Sequence, residues 1–151
     1  MDGEQQRTIL GVLRKWAVAR QAGRPARRAL TPDEVMRLDQ DGIVEVGAHT
    51  TNHSMLSVLP EDAQKSEIIQ SKRMLEEWLG RDVKTFAYPY GGKLDYTCET
   101  ARIVQEVGFR CACSNYHAHI YPWTDRYQLP RFLVRDWSGE EFEKRVSKYF
   151  V

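Results

Sequence analysis

The sequence predicts an α/β fold built as a partial barrel of alternating strands and helices, and three observations carry that expectation. Four short apolar runs with strand character, 43–48, 85–88, 109–113 and 128–134, are separated by segments of helical periodicity. Two distinctive motifs, His49-Thr50-Thr51-Asn52-His53 and Pro89-Tyr90-Gly91-Gly92, each follow directly on one of those runs. The length of 151 residues, 42% apolar, gives one domain with a real core, whereas a complete barrel of eight strand-helix units takes about 250 residues. Strands alternating with helices imply right-handed crossovers and a mainly parallel sheet, whose chemistry gathers where strands end and loops begin.

The elements follow in order. Over residues 7–20, Ile9, Val12, Leu13, Trp16 and Ala19 recur at helical spacing with basic residues on the other face, until Gly23-Arg24-Pro25 breaks the pattern. Thr31-Pro32-Asp33-Glu34 is a helix start, with Thr31 as cap, Pro32 in the first turn and Glu34 completing a capping box; the helix should stop at Gly42. The first strand is 43–48. After the histidine segment, Pro60-Glu61-Asp62 opens a long helix with Ile68, Leu75 and Leu79 on one face and Gly80 as its stop. The strand 85–88 leads to a helix begun at Tyr96-Thr97, with Ala101, Val104 and Val107 inward and Gly108 closing it. The strand 109–113 and the strand 128–134 follow, and Ser138-Gly139-Glu140-Glu141 begins a closing helix toward Tyr149. Cys111 and Cys113 flank Ala112 on a strand, so both should point to one face as small buried hydrophobes.

Charge and hydropathy exclude several functions. A net charge of +1 gives no global electrostatic case for nucleic-acid binding. Seven basic residues between Arg7 and Arg28, with no acidic one among them, form a local exception that reads as a solvated helix face and linker. Nothing apolar runs for the roughly 18 residues of a membrane span, and Met1–Gln6 lacks the basic-then-apolar order of a signal peptide, which leaves localisation open. The expected organisation is a basic amphipathic helix and linker over 1–29 and a partial catalytic-type domain over 30–151.

Two imidazoles four residues apart can converge on one divalent cation: on a helical turn their β-carbons stand about 5–6 Å apart, and imidazole nitrogen binds zinc at roughly 2.0–2.1 Å. A zincin protease is excluded, because its general-base Glu would stand at Thr50. The Pro89-Tyr90-Gly91-Gly92 turn on the same rim would place backbone N–H groups beside the cation, as oxyanion stabilisation requires.

Glu45-Val46-Gly47-Ala48-His49-Thr50-Thr51-Asn52-His53, followed after a long helix by Thr85-Phe86-Ala87-Tyr88-Pro89-Tyr90-Gly91, resembles the polysaccharide deacetylases of the NodB-homology type, carbohydrate esterase family 4. The resemblance runs from about Leu30 to Phe142. It implies a distorted (β/α) barrel and removal of acetyl groups from polymers containing N-acetylglucosamine. It also implies that His49 and His53 are metal ligands, with zinc as the usual divalent cation, and that the Tyr90 backbone N–H is an oxyanion donor.

The chain departs from the family pattern in ways that bear on activity. The family's Thr-Phe-Asp-Asp-Gly motif, source of the general base and the aspartate ligand, is absent. Ala87 stands where many members carry a base-orienting Arg, and Leu129-Pro130-Arg131 puts Arg131 where the general-acid His is expected, with His117 and His119 as candidate substitutes. Tyr116, Tyr121, Trp123, Tyr127 and Trp137 could wall a groove for sugar rings or simply pack the core and rim. Two readings follow: the C-terminal part of a metal-dependent deacetylase acting on an acetylated amino-sugar polymer, inactive in this shortened form, or a non-catalytic carbohydrate-binding or scaffolding domain. Exposed strand edges of a partial barrel predict a homo-oligomer that covers them.

Overall fold

Two parallel strands form the centre of the sheet in this computed structural model, which describes residues 3–16, 28–40 and 42–149. Strand β1 (Thr85–Ala87) and strand β2 (Cys111–Cys113) pair with Thr85 opposite Cys111, Phe86 opposite Ala112 and Ala87 opposite Cys113. One-residue parallel bridges extend the sheet on both sides, from Ala48 to Phe86 and from Cys113 to Leu129. Four chain segments therefore lie in sequence order, the first three joined by helical crossovers and the last by a loop.

The helices are α1 (Gly3–Trp16), α2 (Pro32–Gln40), α3 (Glu61–Leu79), α4 (Cys98–Glu106) and α5 (Gly139–Ser147). Their ends obey the expected chemistry. Thr31 and Glu34 form the capping box of α2: the Glu34 N–H donates to Thr31 Oγ1 at 3.4 Å and the Thr31 N–H to Glu34 Oε2 at 2.8 Å. Gly80 ends α3 in the left-handed region at φ 64°, where a glycine carries no Cβ penalty. Thr97 and Thr100 exchange side-chain and backbone bonds at the start of α4, and Ser138 caps α5. None of the described helices is long and apolar enough to cross a membrane.

One face of the sheet carries the core. Phe86 and Ala112 turn toward α3 and α4, where Ile68, Ile103, Val104 and Phe109 close over them, and Leu56, Val83 and Tyr88 complete the cluster. Full burial of each Ile, Leu, Val or Phe side chain among them contributes about 1.5–3 kcal/mol. A buried polar link joins the starts of the two helices: Thr100 Oγ1 donates to Gln64 Oε1 at 2.7 Å, and Gln64 Nε2 donates to the Leu59 carbonyl at 2.9 Å.

Three expectations are corrected. The strand expected at 43–48 shrinks to Ala48, and Ile43 is 89% exposed. Among the described residues no segment pairs with its outer side, and a strand bonded on one side only has little to hold its far end. At 128–134 only Leu129 is bridged, because Pro130 has no N–H to continue the ladder and the Arg131 N–H turns to the Tyr116 carbonyl instead, at 3.1 Å. Cys111 and Cys113 do share a face, but it is the half-covered one, while Ala112 between them is fully buried. The helices α3 and α4 cover only the Phe86 and Ala112 side.

The N-terminal helix forms as far as Trp16, with Ile9, Leu10, Val12, Leu13 and Trp16 exposed rather than packed inward. Residues 17–20 and the Gly23-Arg24-Pro25 break lie outside the described residues. Arg7 Nη1 reaches Asn52 Oδ1 at 3.3 Å, linking α1 to the histidine segment.

Candidate functional site

Ala48 ends its bridge by exchanging backbone bonds with the neighbouring strand: its N–H donates to the Thr85 carbonyl and its carbonyl accepts the Ala87 N–H, both at 2.9 Å. That lock places His49 beside the end of β1, where its Nδ1 meets the Ala87 carbonyl at 2.7 Å. A carbonyl can only accept, so Nδ1 carries the proton, the tautomer in which a neutral imidazole keeps its lone pair on Nε2. Close packing at Gly47 helps, since a Cβ there would meet Thr85 Oγ1 at 2.5 Å.

The segment after His49 is not a helical turn. Thr50 and His53 both adopt left-handed backbone, at φ 62° and 55°, a conformation that costs a non-glycine residue roughly 1–2 kcal/mol. Through those two turns the rings of His49 and His53 nevertheless converge, their centroids 4.8 Å apart and their planes at 73°.

The strained segment is held from α3. Glu67 Oε2 accepts the backbone N–H groups of Thr51 at 3.1 Å and Asn52 at 2.8 Å, Oε1 accepts the Asn52 side-chain amide at 2.6 Å, and the Thr51 hydroxyl donates to the Glu67 carbonyl at 3.3 Å. Sequence reasoning passed over Glu67, one carboxylate among several on an amphipathic helix. The Thr50 hydroxyl oxygen is buried without a hydrogen-bond partner among the described residues, an orphaned polar atom beside the imidazole pair.

Tyr90 lies across from the pair, its ring 4.9 Å from that of His53 at 75°. Its backbone is left-handed at φ 62°, and its N–H has no protein acceptor among the described residues. Gly91 makes the turn possible. At φ +72° a Cβ would meet the Asn115 backbone nitrogen at 2.9 Å, and the Asn115 N–H donates to the Gly91 carbonyl at 2.7 Å.

His49, His53 and Tyr90 line one cavity of about 470 Å³ together with Asn115, Arg131 and Phe132. Tyr88 supports its floor, stacked on Tyr96 at 3.9 Å and donating its hydroxyl to the Tyr127 carbonyl at 2.7 Å. Burial pushes the Tyr88 phenol well above its ordinary range, and that of Tyr96 up to about 12, so both stay protonated donors. Arg131 Nε donates to the Ser114 carbonyl at 2.6 Å, which aims the guanidinium at the cavity. His117 is not brought into this cavity. It lines a neighbouring one of about 480 Å³ with Trp137, Arg145 and Tyr149, its ring 5.6 Å from Phe132.

As a metal site the pair supplies two donors of the right type, close enough for one cation to reach both, and the Nδ1–H bond of His49 fixes the ring as ligating imidazoles require. Among the described residues no group of three or more His, Cys, Asp or Glu side chains is arranged to hold a metal ion. The two histidines by themselves therefore make up at most part of a coordination sphere.

The fold finds counterparts among known proteins. A Streptococcus pyogenes deacetylase, PplD, in complex with acetate superposes with a TM-score of 0.70 at 22% identity, covering 80% of this chain and 52% of that one. A Bacillus cereus polysaccharide deacetylase gives 0.69 at 20% identity, over 81% of this chain and 38% of the other. IcaB from Ammonifex degensii gives 0.64 at 24% identity, over 79% and 52%. The chain thus spans about half the length of these structures or less. No curated protein sequence matches significantly. The sequence profile of the polysaccharide deacetylases matches residues 8–112, from within α1 to β2, and the chain accordingly belongs to the polysaccharide deacetylase family.

Proposed function

We propose that the chain carries the histidine half of a metal-dependent deacetylase site for a polymer containing N-acetylglucosamine. His49 and His53 would hold a divalent cation, zinc by the chemistry of the donors. The observation that carries this reading is the His49 ring, fixed by the Ala87 carbonyl and converged on His53 although two left-handed residues are needed to bring the rings together. When bound, such a cation polarises an acetyl carbonyl and lowers the pKa of water toward about 7.

The chain's own residues would do the rest of the positioning. The unpaired Tyr90 N–H would donate to the acetyl oxygen as negative charge develops there. Arg131, anchored by the Ser114 carbonyl, would hold positive charge at the cavity wall, and Phe132 would keep that wall dry. Neither Asp nor Glu lines the cavity among the described residues, so no group there can take a proton from water as a carboxylate base would. That absence favours a second reading, a domain that binds acetylated sugar polymer without cleaving it.

Two measurements separate these outcomes. Calorimetric titration of zinc into the wild type should show a binding isotherm that His49→Ala abolishes; indistinguishable isotherms would remove the metal assignment. Acetate release from acetylated chito-oligosaccharides that disappears in His49→Ala supports catalysis. Oligosaccharide binding with no release identifies the binding domain.

A further inference from the structure

Tyr116, Tyr121, Trp123, Tyr127 and Trp137, five of the aromatic residues that follow β2, divide into two groups. Tyr116 donates its hydroxyl to the Gln128 carbonyl at 2.9 Å and lies under Lys93. Tyr127 packs against the core and offers its carbonyl to Tyr88, and Trp137 is covered by Arg145 at 4.5 Å. Tyr121 and Trp123 are different: they are 50% and 80% exposed and stack on each other at 5.1 Å with planes 2° apart. Neither the Tyr121 hydroxyl nor the Trp123 indole N–H has a hydrogen-bond partner among the described residues.

The turn that presents them is braced. The Tyr121 N–H donates to Thr124 Oγ1 at 2.8 Å and the Thr124 N–H returns to the Tyr121 carbonyl at 2.9 Å, with Pro122 between the two residues in sequence removing a further backbone freedom. Asp125 secures the next turn through the Tyr127 N–H at 2.9 Å and the Gln128 amide at 2.8 Å. Hydrogen bonds within its own turns thereby hold a flat aromatic pair out to solvent, which lowers the ordering cost of binding there.

The pair is also continuous with the imidazole cavity. Phe132 lines that cavity, the His119 ring stands 5.5 Å from Phe132 and 6.2 Å from Tyr121, and Trp123 follows at 5.1 Å. The steps of this run of rings are each comparable to the width of one pyranose. A pyranose face presents polarised C–H groups that suit the negative face of an aromatic ring, and its rim of hydroxyls suits the unpaired indole N–H and phenol.

We propose that Tyr121 and Trp123 form a distal subsite that stacks a sugar residue of a polymer whose reacting residue lies at His49 and His53. The subsite rests on the functional reading above and adds to it a preference for chain length. Trp123 is the stacking surface, Tyr121 backs it, and His119 and Phe132 mark the path between the two ends.

The test uses tetra-N-acetylchitotetraose and di-N-acetylchitobiose titrated into the full chain by calorimetry. The wild type should bind the tetramer more tightly than the dimer. Trp123→Ala should weaken the tetramer about tenfold and leave the dimer unchanged, and Trp123→Phe should recover part of the loss. Trp123 is exposed, so these variants fold, and their unfolding midpoints provide the check. Equal tetramer affinity in wild type and Trp123→Ala overturns the subsite while leaving the imidazole site intact. Absence of any oligosaccharide binding by the wild type overturns both. Sedimentation in which Trp123→Ala turns a wild-type dimer into a monomer, with sugar binding unaltered, assigns the rings to a contact between copies and likewise overturns the subsite.

Discussion

The Glu67 carboxylate grips Asn52 twice, accepting its backbone N–H at 2.8 Å and its side-chain amide at 2.6 Å. Through that grip a helix facing the core sets the path of the chain between two imidazoles. Glu67→Ala should lower stability by about 0.5–1.5 kcal/mol, the net worth of hydrogen bonds whose exposed donors can turn to water. It should also weaken zinc binding at His49 and His53. Glu67→Gln, which keeps one acceptor oxygen, should fall between. Urea unfolding and zinc calorimetry of the three proteins would show this, and an unchanged Glu67→Ala protein would rule out the brace.

Gly91 should be the least replaceable glycine beside the cavity. Gly91→Ala combines a left-handed φ of +72° with a 2.9 Å approach of the new Cβ to the Asn115 nitrogen, and should cost about 1–3 kcal/mol. Gly80→Ala has similar φ, +64°, but open space around the Cβ, and should cost only the conformational penalty of about 1 kcal/mol. Comparing denaturation midpoints isolates the clash; equal losses would mean that Asn115 gives way.

Thr100 is fully buried, accepts the Thr97 N–H at 3.0 Å and donates to Gln64 at 2.7 Å. Thr100→Val keeps the shape and strands both partners, so a loss of about 1–3 kcal/mol is expected. Thr100→Ser, which retains the hydroxyl, should lose less. Thermal unfolding that ranks valine above serine would contradict the network.

Asp39 pairs with Arg81, fastening α2 to the turn after α3. The hydrogen-bonded Arg81 guanidinium holds the Asp39 carboxyl below the ordinary carboxylate value. The folded value is therefore lower than the unfolded one, about 3.9. The resulting stabilisation is complete above that pH and is lost as pH falls through the folded value. Glu34, held down to about 2 by hydrogen bonding to Arg28, acts in the same sense. Asp39→Asn should flatten, without abolishing, the acid limb of a stability-against-pH curve, and added salt should do the same to the wild type. An identical limb in Asp39→Asn would show that the pair contributes nothing.

The histidine pair, the following turn and the order of elements were legible in the sequence because each is local. Four-residue spacing, a Pro-Tyr-Gly-Gly turn, a Thr-Glu capping box and a stop glycine are all written within a few residues of where they act. Where strands stop was not, because a strand exists by virtue of its neighbours. The run 43–48 has the composition of a strand but is paired only at Ala48, and Cys111 and Cys113 alternate as expected yet sit on the face the helices leave half covered.

Readable from the sequence alone were two donor-type imidazoles four residues apart, directly after an apolar run that ends at Ala48. Only the folded chain shows that His49 is oriented by the Ala87 carbonyl, that Glu67 restrains the left-handed segment, and that His117 falls in a separate cavity while Phe132 joins the first. The physical reason is distance along the chain: Ala87, Glu67 and Phe132 reach the site across long crossovers, and no periodicity or motif records which backbone carbonyl or carboxylate arrives there.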